Sequence, residues 1–270
     1  MLLIDAHCHL DDPRFDGDRE EVVARARRQG VIAQVLPAVA RREWPRLRAV
    51  VAAFPGLYPS YGLHPLFLSE HRPEDLEELA GWLEQEPAVA VGECGLDFSS
   101  AGGDADTQID YLTAQLRLAR DFDLPVILHA RKAVDSITKY LRRFPGLRGM
   151  VHSFAGSQQQ ADTLMQQGFF ISVGGPLTFP RAQRLRSVVS RIPLEGLLVE
   201  TDAPDQPGAG HRGERNEPAY ARGVIDTLAE LRAESAETIA RTTAENTRRL
   251  FRLPTALTAT GEARFPEPAR

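Results

Sequence analysis

The chain has 270 residues, enough for one barrel domain of about 250 residues or for two average domains. No apolar run approaches the roughly 18–20 residues of a membrane span, and two cysteines, Cys8 and Cys94, are too few for a disulfide framework. With 37 acidic against 32 basic residues the formal net charge is −5, which argues against a surface that coats nucleic acid but leaves room for an enzyme that grips one or two phosphates.

The opening MLLIDAHCHLDD carries acids and histidines where a secretory signal would have a basic start and an apolar core, so the cytoplasm is the expected location. Short apolar, β-branched runs then alternate with segments of helical periodicity. Leu2–Ile4 is read as the first strand, followed by a helix over Arg19–Gln29. Val31–Leu36 precedes a helix near Glu43–Ala53, and a weak third strand at Tyr61–Leu63 precedes Pro73–Glu86, where Pro73 suits a first helical turn. Ala88–Val91 leads through a loop to a helix over Thr107–Asp121, and Pro125–Leu128 leads to Val134–Phe144. Gly149–Val151, Phe169–Val173 and Leu197–Val199 are the last three strands, with helices at Gln158–Gln167 and Arg181–Val189 between them. Asp202–Arg215 reads as a loop too polar for the core, and two helices, Ala219–Arg232 and Ala236–Leu250, close the domain, the second capped by Ser235. Eight such units, without a dinucleotide-binding glycine fingerprint after the first strand, predict an α/β fold of the (β/α)₈ TIM-barrel type over residues 1–252. Residues 253–270 lack periodicity and are expected to form a loose tail with no catalytic role.

The chemistry gathers at strand ends. In an extended segment side chains alternate, so His7 and His9 project to the same side. His129 and His152 each end an apolar strand, Glu93 follows the fourth, and Glu200 and Asp202 follow the eighth. A barrel opens all these ends onto one face. Four imidazoles and two carboxylates, His7, His9, Glu93, His129, His152 and Asp202, exceed the needs of one tetrahedral catalytic zinc but suit two divalent ions bridged by a carboxylate. No lysine ends a strand to serve as a modified bridge, which leaves Glu93. Asp202, the acid ending the eighth strand, is the candidate to accept a proton from a metal-activated water. Asp5, Asp97 and Glu200 are candidates to hold the second ring nitrogens, and His71, in the charged run Glu70-His71-Arg72, is read as surface. Histidine-rich donors suit Zn²⁺ or Mn²⁺ better than Mg²⁺.

The stretches Asp5-Ala6-His7-Cys8-His9-Leu10, Tyr61-Gly62-Leu63-His64-Pro65, Val91-Gly92-Glu93-Cys94-Gly95-Leu96-Asp97-Phe98, His129-Ala130-Arg131, Val151-His152-Ser153-Phe154-Ala155-Gly156, Glu200-Thr201-Asp202-Ala203-Pro204 and Arg215-Asn216-Glu217-Pro218 fall in order along the domain. In these the chain resembles the TatD-related metal-dependent deoxyribonucleases, a branch of the amidohydrolase-like barrel superfamily. The resemblance implies that His7, His9 and Asp202 serve chiefly one metal, that Glu93 bridges, and that His129 and His152 complete the second site. It also implies that His64 and Arg131 approach the substrate phosphate, and that Mg²⁺ can support turnover.

The expected activity is therefore hydrolysis by two divalent metal ions, Mg²⁺, Mn²⁺ or Zn²⁺, most concretely of phosphodiesters at DNA ends. A hydrolase of a small amide, ester or lactone on the same barrel is the alternative, and a binding protein without turnover is a third reading. Arg131, Arg212 and Arg215 are the basic residues expected around the mouth, Ser153 and Asn216 donate to substrate or cap turns, and Phe98 or Phe154 offers a ring for base stacking. So few cations imply weak, local contact with single-stranded or frayed ends, and no membrane partner.

Overall fold

The structure, a computed structural model, describes residues 1–99 and 103–254. Eight parallel strands run in sequential order: β1 (Leu3–Asp5), β2 (Val31–Pro37), β3 (Leu57–Tyr61), β4 (Ala90–Asp97), β5 (Val126–Arg131), β6 (Gly149–Val151), β7 (Phe169–Val173) and β8 (Leu197–Val199). Helices α1 (Arg19–Arg28), α2 (Trp44–Ala53), α3 (Glu74–Gln85), α4 (Ala105–Asp121), α5 (Val134–Leu141), α6 (Gln158–Gln166) and α7 (Gln183–Val189) fill the intervals between strands. After β8 come α8 (Ala221–Arg232) and α9 (Ala236–Phe251), the latter begun by Ser235, whose hydroxyl accepts the Thr238 N–H. Main-chain bonds across the β8–β1 seam close the cylinder. The Ala6 N–H donates to the Val199 carbonyl (3.0 Å), Asp202 to His7 (2.9 Å) and His9 to Ala203 (2.7 Å).

Alternation along the strands divides the core. Val126, Leu128, Val151, Ile171, Leu197 and Val199 join the helices in one buried cluster. Ile127, Met150 and Leu198, at the intervening positions, join Ile4, Ile32 and Tyr58 in a second cluster, to which α9 contributes Leu250 and Phe251. Leu253 is buried in that same cluster, and its N–H donates to the Arg248 carbonyl (3.0 Å), so the packed domain runs at least one residue past the expected boundary at 252. Residues 255–270 of the expected tail lie outside the described residues.

Two strands differ from the sequence expectation. β3 starts four residues earlier than Tyr61 and includes Pro59, an apparent breaker; pairing with β4 begins only at Ser60↔Ala90, so the missing N–H falls at the start of that ladder. β4 continues through the segment read as a loop to Asp97. Its glycines are demanded by the neighbouring strand. A Cβ on Gly95 would stand 2.0 Å from the His129 carbonyl oxygen, and one on Gly92 2.6 Å from that of Ile127, both at φ above +140°. The loop after β8 also departs from a wholly polar reading, since Ala203 and Pro204 at its start are buried.

Candidate metal centre

β1, β4, β5, β6 and β8 deliver His7, His9, Glu93, His129, His152 and Asp202 to one place, at the floor of an open cavity of about 1360 Å³. Glu93 is buried at the middle and its two oxygens face opposite ways. Oε2 lies 3.3 Å from His7 Nε2 and 3.6 Å from His9 Nε2. Oε1 lies 2.8 Å from His152 Nε2, 3.3 Å from His129 Nδ1 and 3.0 Å from His64 Nε2. Asp202 Oδ1 completes the first group at 3.3 Å from His7 Nε2 and 3.5 Å from His9 Nε2.

Nitrogen meets nitrogen within each group. His7 Nε2 and His9 Nε2 are 3.2 Å apart, as are His129 Nδ1 and His152 Nε2. A tetrahedral cation with arms of about 2.0–2.1 Å has ligand–ligand edges of about 3.3–3.4 Å, so these donors already stand at metal-binding separation. His7 and His152, one from each group, stack with centroids 4.1 Å apart. Two clusters of His, Glu and Asp donors that share Glu93 can thus hold two divalent ions.

Hydrogen bonds on the far ring nitrogens set the tautomers. His9 Nδ1–H donates to the Pro37 carbonyl (3.1 Å) and His129 Nε2–H to Asp97 Oδ2 (2.9 Å), leaving a lone pair on the nitrogen that faces the cluster. His64 is wired the other way. Its Nδ1 accepts the Leu66 N–H (3.1 Å), so the neutral ring carries its proton on Nε2 and donates to Glu93 Oε1. Geometry alone groups His64 with Glu93 and His129 as possible ligands, but its proton makes it a donor instead. His7 Nδ1 and His152 Nδ1 are buried without a hydrogen-bond partner, the latter 3.8 Å from Glu200 Oε1.

Charge follows the same layout. Burial opposes ionisation of Glu93, yet His152, His64, His7 and His129 hold its carboxyl well below the usual range. Asp202 is likewise lowered against its burial by His7 and His9. Burial pushes His152 down to about 4 and also lowers His64, whereas Asp97 and Glu93 overcome burial to raise His129 to about 9.

Asp97 therefore holds an imidazole as the sequence allowed, but Asp5 and Glu200 have other work. Asp5 accepts the Thr201 N–H (2.9 Å) and hydroxyl (2.5 Å), and Glu200 accepts the Ser153 N–H (2.6 Å) and the Ser172 hydroxyl (2.6 Å). Ser153 also donates its hydroxyl to Gln206 Oε1 (2.8 Å), and the Gln206 amide donates to Asp202 Oδ2. Asn216 ties the loop after β8 together through the carbonyls of Thr201 (2.8 Å) and Asp205 (2.7 Å). His71 is half-buried rather than a free surface residue; its Nε2–H donates to the His64 carbonyl (2.9 Å).

Of the basic residues expected at the mouth, Arg131 lines the cavity, while Arg212 and Arg215 are not among its walls. Arg215 is consumed by Asp18 (2.7 and 2.8 Å) and lies over the Phe15 ring. Arg14 is held by Asp12 and Asp205, and Arg46 by Asp16 and the Asp11 carbonyl. The side chains of Arg131 and its neighbour Lys132 have no ion pair or hydrogen bond among the described residues. Phe154 is buried in the core and Phe98 packs against it, so neither ring faces the cavity; Phe67 does. Sequence reasoning missed Phe67, Lys132 and Gln206. The one signal for Phe67 is an apolar run, Pro65-Leu66-Phe67, directly after a strand-end histidine where a polar loop is expected.

A closed (β/α)₈ barrel with two donor clusters sharing a glutamate at the C-terminal strand ends defines a divalent-metal-dependent hydrolase of the amidohydrolase type. More particularly, the chain belongs to the TatD related DNase family, whose sequence profile matches residues 4–252. It is 44% identical over 254 residues to the uncharacterized metal-dependent hydrolase YjjV of Escherichia coli K12, covering 93% of this chain and 98% of that one. The crystal structure of YjjV superposes with a TM-score of 0.90 at 43% identity over 93% of this chain and 98% of that one. A relative from Pectobacterium carotovorum named 3'-5' ssDNA/RNA exonuclease TatD is 33% identical over 263 residues, covering 93% of this chain and all of that one.

Proposed function

We propose that the protein is a two-metal phosphodiesterase that removes nucleotides from single-stranded or frayed DNA ends. The observation that carries this reading is Glu93, whose two oxygens serve two donor groups at the floor of one cavity. His7, His9 and Asp202 would hold one cation, His129 and His152 the other, with Glu93 shared. Two cations bound there would supply the positive charge that acidifies a water and offsets charge gathering on the phosphoryl oxygens. Asp202 stays ionised and accepts the proton of the attacking water through its carboxylate, which the Gln206 amide keeps in one orientation. The Nε2 proton of neutral His64 rests on Glu93 Oε1 and, once that carboxylate oxygen serves as a ligand, would become available to a phosphate oxygen. Arg131 supplies a guanidinium fork to the same group, free of competing carboxylates.

The cavity volume favours a polymer end over a small ester or amide, because pockets for small molecules span about 300–1,000 Å³. The relative named as an exonuclease of single strands supports digestion from the 3′ end. Arg131, Lys132 and Arg184, the cavity cations without a carboxylate partner among the described residues, mean few neutralised phosphates. The slope of log affinity against log salt for single strands should be about −1.4 to −2.1 for two or three contacts at about −0.7 per phosphate. Among the described residues no helix is long and apolar enough to cross a membrane. Two buried free thiols suit the reducing cytoplasm, where we place the activity.

The test is metal-free protein given Mg²⁺, Mn²⁺ or Zn²⁺ and 5′-labelled single-stranded DNA, blunt duplex, closed circular duplex, RNA and a panel of small esters. Asp202→Asn protein serves as the contamination control. Single strands should shorten from the 3′ end while closed circles stay intact. Efficient cleavage of esters with no diesterase activity would replace this reading with the small-molecule one.

A further inference from the structure

The centre explains how a phosphate is attacked but not why the nucleotide attached to it should be unpaired. We propose that Phe67, with Leu66 beside it, forms a seat for the unpaired nucleobase next to the scissile phosphate; this rests on the phosphodiesterase reading above.

Position is the first argument. Among the described residues that line the cavity, Phe67 is the only phenylalanine, tyrosine or tryptophan. Its ring lies 5.9 Å from the His64 ring, and His64 Nε2 is 3.0 Å from Glu93 Oε1, so one side chain separates it from the donor groups. Leu66, also a wall of the cavity, is 37% exposed. Among the described residues the other large apolar side chains so exposed are Met1 and Leu2. Single exposed leucines are ordinary on a protein surface, but one beside the only phenylalanine, tyrosine or tryptophan among the described walls of this cavity extends an apolar step at its rim.

Rigidity is the second. The segment Pro65–Glu70 forms short 3₁₀ turns capped by His64, whose Nδ1 accepts the Leu66 N–H. His71, at the far end, donates back to the His64 carbonyl, and its ring lies against Tyr111. The Arg42 guanidinium stands 5.5 Å from the Phe67 centroid and is itself paired with Glu43 and Glu70. Arg42, itself a wall of the cavity, thus lies against the ring with its charge already paired, and with the His64 ring it restricts the positions open to Phe67.

Chemistry is the third. Neither Leu66 nor Phe67 has a hydrogen-bond donor or acceptor on its side chain, so the step cannot read base edges. It offers stacking, which every unpaired base can use and a base enclosed within a duplex stack cannot reach. Phosphates on the same strand meet Arg131 and Lys132, whose side chains have no ion pair or hydrogen bond among the described residues, and Arg184, which is held only by the Ala155 carbonyl. The seat therefore selects for single-strandedness without selecting for sequence.

Three proteins test this: wild type, Phe67→Ala and Phe67→Trp. A single-stranded oligonucleotide carrying 2-aminopurine as its 3′-terminal base is titrated with each protein in metal-free form, and oligothymidylate hydrolysis is followed with Mn²⁺. Stacking should quench 2-aminopurine with wild type and with Phe67→Trp, and not with Phe67→Ala. The KM of Phe67→Ala should rise about 10-fold, within the roughly 5- to 150-fold that loss of one base–aromatic stack produces, with kcat and metal stoichiometry unchanged. Equal quenching by wild type and Phe67→Ala, or a fall in kcat without a KM effect, overturns the seat. Quenching by a protein that cleaves no diester under any metal would keep the seat and overturn the phosphodiesterase reading. Cleavage without quenching would do the reverse.

Discussion

The two halves of the proposed metal centre are built by different means. The half on Glu93 Oε2 is assembled across the β8–β1 seam, where His7, His9 and Asp202 meet through bonds between the first ten residues and residues near 200. The half on Oε1 grows from neighbouring strands in register, with Gly95 paired to His129 and Leu128 to Val151. Their outer contacts differ as well. His9 leans on a main-chain carbonyl and His129 on a carboxylate, while each half also has one imidazole, His7 or His152, whose Nδ1 lacks a hydrogen-bond partner. Even the nearby cations divide this way. Arg14 and Arg215 beside the seam are spent on Asp12, Asp205 and Asp18, whereas Arg131 and Lys132 at the end of β5 are unspent. One half is anchored by the fold and the other is tuned by side chains, so the second should be separately adjustable.

Glu93→Ala removes the feature common to both halves. Both metal equivalents should be lost, and activity should fall by roughly 10³-fold or more, the scale of a strong transition-state contact. Retention of one tightly bound equivalent would show that the halves stand apart.

Asp97→Asn should strike one half. The His129 ring loses its carboxylate acceptor, and affinity of that site should drop about 10–100-fold while the seam site is unchanged. Calorimetric titration with Mn²⁺ should resolve one weakened and one native site; equal weakening of both would dissolve the distinction.

Asn216→Ala should act on the seam half through stability. Its buried amide holds the carbonyls of Thr201 and Asp205, and leaving them unmet should cost about 1–3 kcal/mol, read as a lower midpoint in denaturant.

The smallest effects compare the two sets of arginines. Arg131→Ala should weaken single-strand binding and reduce the salt slope by about 0.7, one phosphate contact. Arg215→Ala should leave binding and turnover alone and change stability by no more than about 1 kcal/mol, as partly exposed ion pairs do.

Much of this was legible beforehand. Most barrel strands are apolar runs, and a candidate metal ligand lies at or just past the end of the apolar run in five of them, although β4 itself continues beyond Glu93, so spacing alone gathers the six candidate donors. The limits of β3 and β4 were not legible, because Pro59, Gly92 and Gly95 look like breakers until the adjacent strand shows why they are there. The acceptor of His9 was hidden for a different reason: the Pro37 carbonyl is main chain, and every residue has one. Arg215 misled because its partner, Asp18, lies 197 residues away. A charge near a mouth in sequence says nothing of which carboxylate reaches it first.

The seam also gives the centre a place in time. His7 and His9 are made well before Asp202 and must wait for it, since Thr201 and Asp5, which align them, stand 196 residues apart. Contacts of such separation are the slowest to form in a folding chain. Closing the cylinder and completing the first group of donors are therefore one event, and a chain halted before β8 holds only half a site. A cation bound across that junction favours only the closed form, by about 2.7 kcal/mol at a hundredfold excess over its dissociation constant. It would act as the clasp of the barrel as well as its reagent.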